Sequence, residues 1–261
     1  MLGNYILSGK SQAITAITVS TLVSLLLPPL AFLICGSVVA LMTLRKGVTV
    51  VLQILAASLI MLMAFSLLVN LPIKLVLVYI LIIWIPAWSV AMVLRFFEQQ
   101  GLLLVASGLL ATMLIVAIYL VVGDVSGWWE QWLTVMIEKT VPPENISQYK
   151  ELIEPAVDMV NALMISGFML NVIMSVLFAR WWQSRLFNPG AFQEEFYALR
   201  LPSQILPVSG LVVFLLLLLS QPWQDLFRDI VFVLMFMYLI QGISSVHRNV
   251  DKLMLSTAWI V

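Results

Sequence analysis

The sequence predicts an all-α protein, a polytopic bundle of transmembrane helices, and three observations carry that prediction. Of 261 residues, 62% are hydrophobic and only 10% charged, whereas an ordinary soluble domain carries about 25% charged residues. Mean hydropathy is +1.09. Runs of about 20 apolar residues recur along the whole chain, each long enough to cross roughly 30 Å of hydrocarbon at about 1.5 Å per residue. None shows the alternation of an outer-membrane barrel strand. The lipid bilayer is therefore the first expected partner.

The same composition excludes several functions. Lys+Arg and Asp+Glu balance at 13 each, which leaves no basic field for nucleic acid. Cys35 is the only cysteine and lies in an apolar run, so it reads as a buried structural thiol, with no disulfide framework and no thiolate metal site. His247 is the only histidine, which rules out a His-Glu-x-x-His zinc site, and no glycine-rich phosphate loop occurs. No catalytic residue, metal or cofactor is expected.

About eight spans are expected as one integral membrane domain. Residues 11–44 make about 50 Å of helix, too long for one crossing. Pro28-Pro29 divides them, because proline removes a donor and disfavours helix in the residue before it. The first two spans are thus 11–27 and 29–44, the first of them retained rather than cleaved as a signal peptide. Arg45-Lys46-Gly47 turns into a third span, 48–69, where Ala57 and Ala64 admit a close neighbour. Asn70, Pro72 and Lys74 lead to a fourth, 75–94, with Pro86 near its middle between Trp84 and Trp88. A fifth, 101–122, carries small residues at helical spacing, Ser107, Gly108, Ala111 and Thr112. Composition then shifts. In 124–155, Trp128, Trp129, Trp132, Val135 and Met136 recur at helical spacing among charges, as in a helix at the external membrane surface. A sixth span, 157–179, feeds an amphipathic cytoplasmic connector, 180–203, broken at Asn188-Pro189-Gly190. The seventh and eighth spans are 204–220 and 230–246. Residues 253–261 read as the opening of a ninth span cut short.

Orientation follows from Lys and Arg, which collect on the cytoplasmic side. One side holds Lys10, Arg45, Lys46, Arg95, Arg180, Arg185, Arg200, Arg248 and Lys252; the other holds Lys74, Lys139, Lys150 and Arg228. That bias puts the N-terminus in the cytoplasm and predicts a multi-pass protein. A single kinked helix across 11–44 would invert every later loop, and the bias argues against it.

Two surfaces carry functional expectations. On the sixth span, Asp158, Asn161, Asn171 and Ser175 fall within an arc of about 140°, and on the eighth Gln241, Ser244 and Ser245 share another stripe with Arg248. With Gln53 of the third span, they are candidates to line a site for a small solute between helices. The competing reading is that each hydrogen-bonds helix to helix, at about 0.6 kcal/mol. In the connector, Arg180, Arg185, Phe192, Phe196 and Arg200 are candidates for docking a membrane or cytoplasmic protein partner; the competing reading is an anchor on anionic lipid. The sequence favours solute binding or transport without an ATPase of its own, with membrane interaction or assembly through the connector as the alternative.

At this connector the chain resembles the YybS-like family of uncharacterised bacterial membrane proteins. The resemblance rests on Arg180-Trp-Trp-Gln-Ser-Arg, Asn188-Pro-Gly-Ala-Phe192, Glu195-Phe196 and Leu199-Arg200-Leu, with Pro28-Pro29 and Arg45-Lys46-Gly47 earlier. It covers nearly the whole chain and implies a further span after the eighth. That family is distantly similar to the substrate-binding membrane subunits of energy-coupling-factor vitamin transporters, which hold a small solute among their helices and rely on a partner for ATP hydrolysis. Those subunits meet the partner through Ala-x-x-x-Ala in an early helix. Here Ala13-Ile-Thr-Ala16 has a different spacing, and no solute-binding residue is carried over.

Overall fold

The computed structural model describes residues 2–26 and 28–253. Among the described residues there are helices and no strands. They are α1 (Leu2–Ser8), α2 (Lys10–Leu26), α3 (Pro28–Lys46), α4 (Val48–Leu68), α5 (Ile73–Tyr79), α6 (Ile85–Phe97), α7 (Gln100–Val122), α8 (Val125–Thr140), α9 (Ile146–Ile153), α10 (Val157–Phe187), α11 (Ala191–Tyr197), α12 (Ile205–Leu218) and α13 (Trp223–Lys252). Five helical stretches are long and apolar enough to cross a membrane: Val48–Leu68, Ile73–Phe97, Gln100–Val122, Pro143–Phe187 and Trp223–Lys252. Ile205–Leu218 is apolar but shorter. Residues 254–261, on which the ninth-span reading falls, lie outside the described residues.

The long helices leave large apolar side chains exposed, among them Ile60, Leu68, Leu120, Val121 and Leu217. In water such surfaces would associate; in hydrocarbon they are the required lining, and a helix pairs most of its own backbone groups there. The chain is a membrane protein by this composition and by the length of these helices.

The chain divides into two compact units. The first comprises 1–107, 170–201 and 241–261; the second comprises 108–169 and 202–240. In the first unit α2 packs on α3 and α4, and α3 on α6. Ala13, Ala40 and Ala91 are fully buried, because only small side chains let helix backbones approach this closely. Some hydroxyls buried here turn back on their own helix: Thr21 donates to the Ile17 carbonyl at 2.7 Å and Thr43 to that of Val39 at 2.8 Å, which offsets the cost of burying them.

Pro86 has its effect upstream of itself. Residues Ile80–Trp84 form a wide π turn between α5 and α6; a proline has no amide hydrogen to continue the α ladder, and a wide turn accommodates the mismatch. Glu98 ends α6 in the left-handed region at φ 54°.

Two helix ends differ from the sequence expectation. α10 continues as one helix through Phe187, past the expected end at residue 179, and Gly190 at φ +97° makes the break that Asn188-Pro189-Gly190 signals. α13 begins at Trp223 and includes residues that composition assigned to the turn before residue 230.

Candidate functional site

In the second unit four helices meet on one buried carboxyl. Asp229 of α13 is fully buried. Its Oδ2 accepts from Asn161 Nδ2 of α10 at 2.5 Å and from the Tyr119 hydroxyl of α7 at 3.2 Å. Asn161 Oδ1 in turn accepts from Trp129 Nε1 of α8 at 3.2 Å. The other carboxyl oxygen, Asp229 Oδ1, is buried with no hydrogen-bond partner.

The nearest cation along the helix is engaged elsewhere. Arg228 Nη1 stands 2.9 Å from Asp225 Oδ1, and its Nη2 donates to the Asp158 carbonyl at 2.6 Å. Asp229 is therefore held by dipoles on one oxygen and by nothing on the other. Burying an acid this way costs free energy, and ionisable groups so placed in membrane helices mark binding and relay sites.

The surroundings of this centre are acidic. A cavity of about 490 Å³ is lined by Glu130, Glu151, Glu154 and Asp158, with Lys150 as its only cation. A second, of about 610 Å³, is lined by Tyr119, Trp223 and Asp225. Tyr119 thus borders open space and touches the buried acid. Asp124 caps α8 by accepting from the Gly127 amide at 2.9 Å, which fixes the start of the helix that carries Trp129.

The sequence-derived candidates separate into distinct places. Asn161 belongs to the acid centre, while Asp158 is exposed and lines the 490 Å³ cavity. In the first unit, Asn171 is half-buried and Ser175 is buried against α3, donating to the Leu33 carbonyl at 3.4 Å. Gly36 makes room for it, since a Cβ there would stand 2.7 Å from Ser175 Oγ. Gln53 is exposed and accepts from Lys10 Nζ at 2.8 Å. Gln241 and Ser244 grip the connector: Gln241 Oε1 accepts from the Leu201 amide at 2.7 Å, and Ser244 Oγ donates to the Phe196 carbonyl at 2.5 Å. Ser245 is half-buried beside them.

The connector candidates are anchored from several directions. Arg180 is paired with Glu195, with Nε 2.8 Å from Oε2 and a second contact from Nη2 to Oε1, while Nη1 donates to Gln183 at 2.6 Å. The Arg185 guanidinium lies 5.6 Å from the centre of the Trp181 ring. Phe192 and Phe196 stack at 5.9 Å, and Phe196 meets the edge of His247 at 5.8 Å. Arg200 is exposed, but its carbonyl lies against α7, where a Cβ on Gly101 would stand 1.9 Å from the oxygen. Only a glycine fits that approach.

Sequence reasoning missed Asp229, Tyr119 and Trp129 as site residues. The available signal was Asp225-x-x-Arg228-Asp229, whose helical spacing extends α13 toward its N-terminus. Among the described residues no three His, Cys, Asp or Glu side chains are grouped to hold a metal ion. A comparison with known protein families, curated proteins and solved structures finds nothing that matches this chain.

Proposed function

We propose that this is a multi-pass protein of the bacterial inner membrane, with eight spans and a cytoplasmic N-terminus, that binds or moves a small solute within its helices without an ATPase of its own. One observation carries the reading: Asp229, fully buried on a long apolar helix, keeps an oxygen without a partner while Asn161 and Tyr119 hold the other. An open carboxyl oxygen under an acidic surface favours a cationic solute or coupling ion. The eight-span topology draws support from α2 and α3, of 17 and 19 residues, beside the five longer stretches and α12.

The test is ligand-induced stabilisation of the full-length protein in maltoside micelles, with sodium, ammonium, methylammonium and putrescine as probes at constant ionic strength. At least one probe should raise the unfolding temperature of the parent protein and leave that of Asp229→Asn unchanged. Equal responses in parent and variant, or no response to any probe, would discard the reading.

A second reading has its own support. Gln241 and Ser244 clamp the connector's backbone, and a fixed surface docks a protein partner at lower entropic cost than a loose one. Phe192→Ala with Phe196→Ala should then abolish co-purification of a partner while cation responses persist.

A further inference from the structure

The first unit contains a cavity of about 590 Å³ whose polar wall holds Arg45, Arg95, Arg180, Gln183, Glu98 and Glu195. The three arginines differ in how far their donors are engaged. Arg180 is satisfied, with its guanidinium bound to Glu195 and Gln183. Arg95 is fixed by one bond, Nη1 to the Thr43 carbonyl at 2.7 Å, which leaves its remaining N–H groups without an acceptor. Arg45 makes no hydrogen bond among the described residues; its guanidinium carbon lies 3.7 Å from the centre of the Phe187 ring. Stacking on a ring face orients a guanidinium and leaves its whole N–H edge available.

Two pre-oriented guanidinium forks with open donors thus border one cavity, and Glu195, the carboxylate bound to Arg180, is already engaged. Glu98, exposed at the left-handed end of α6, forms no salt bridge among the described residues and is the one counter-charge left on the wall. Planar forks of this kind recognise the oxygens of a phosphate group, which accept paired N–H donors and carry charge to match. We infer that the Arg45–Arg95 cavity binds a phosphate group, from a phospholipid headgroup or from a free phosphorylated solute. This inference is independent of the acid centre of the second unit.

The test uses the full-length protein in maltoside micelles, which contain no phosphate. Unfolding temperature is followed by tryptophan fluorescence against inorganic phosphate, and separately against dihexanoyl phosphatidylglycerol below its micellar concentration, with chloride at matched ionic strength as control. Stabilisation by inorganic phosphate assigns the site to a free solute. Stabilisation by the phospholipid alone assigns it to a headgroup. In either case Arg45→Gln should weaken the midpoint by about ten-fold or more, as the loss of a charge-assisted fork requires, and Lys46→Gln, the same charge change on the adjacent residue, should not. Glu98→Gln should tighten it, an effect that a merely structural role would not produce. Arg95→Gln tests the second fork, but it also removes the bond to Thr43, so Arg45→Gln is decisive. Absence of stabilisation by both probes, or equal losses in Arg45→Gln and Lys46→Gln, would overturn the inference.

Discussion

The two units of this chain treat charge in opposite ways. The first carries ten Lys and Arg against four Asp and Glu; the second carries three against nine. In the basic unit, Arg180 meets Glu195 through two contacts. In the acidic unit the most deeply buried charge-bearing group, Asp229, meets only an amide and a phenol. A paired charge rigidifies the structure around it, whereas a carboxyl left open on one side keeps binding capacity at a cost in stability. The pairing in the first unit reads as architecture, and the open oxygen in the second is what the proposed cation site rests on.

Four substitutions sharpen or break that contrast, taken from the largest effect down, each read as the change in unfolding free energy on SDS titration in mixed micelles. Gly101→Ala should be the most damaging, at about 3 kcal/mol or more, because its Cβ would overlap the Arg200 carbonyl. Glu195→Ala should cost about 2 kcal/mol, since it strands a guanidinium that is 25% exposed; a cost near zero would mean the pair is not structural. Gln241→Leu should cost about 1 kcal/mol and speed hydrogen exchange at the Leu201 amide, which loses its acceptor. Asp229→Asn should be neutral within about 0.5 kcal/mol or stabilising, because the amide oxygen still accepts from Asn161 and Tyr119 while the buried acid is gone. If Asp229→Asn proved more damaging than Glu195→Ala, the contrast between the units would reverse. As a baseline, Lys150→Gln, which breaks an ion pair that is 40% and 50% exposed, should change stability by less than about 0.5 kcal/mol.

The helices were legible because hydropathy and proline punctuation are local signals. Pro28-Pro29, Gly47, the Pro72 turn and Asn188-Pro189-Gly190 each fall at a helix boundary of the structure. Polar partners were less legible, because pairing is not local. Gln241 and Ser244 share a stripe on α13 as their spacing requires, yet an amide or hydroxyl in a stripe looks the same whether it will meet a solute or a neighbouring backbone. They meet the backbone of Leu201 and Phe196. Asp229 was obscured for a different reason: hydropathy averaging assigns a cluster such as Asp225, Arg228 and Asp229 to the turn, although its spacing along a helix carries the last of them into the interior. Asn161 was visible as a polar residue in an apolar helix; its link to Trp129 and Asp229 was not.

The wide turn at Ile80–Trp84 sets how the segments on either side of it face their neighbour. A π turn is what an α-helix becomes when it carries one residue more than its pitch accommodates. Wound at α pitch, the same residues would swing α5 by about 100° relative to α6. On one side of the turn the Tyr79 hydroxyl donates to the Ser24 carbonyl at 3.1 Å; on the other, Trp84 Nε1 donates to Thr21 Oγ1 at 3.2 Å. Both bonds reach the same helix, α2, within one turn of each other, and a swing of that size could preserve only one. The wide turn is thus what keeps Tyr79 and Trp84 on α2 together.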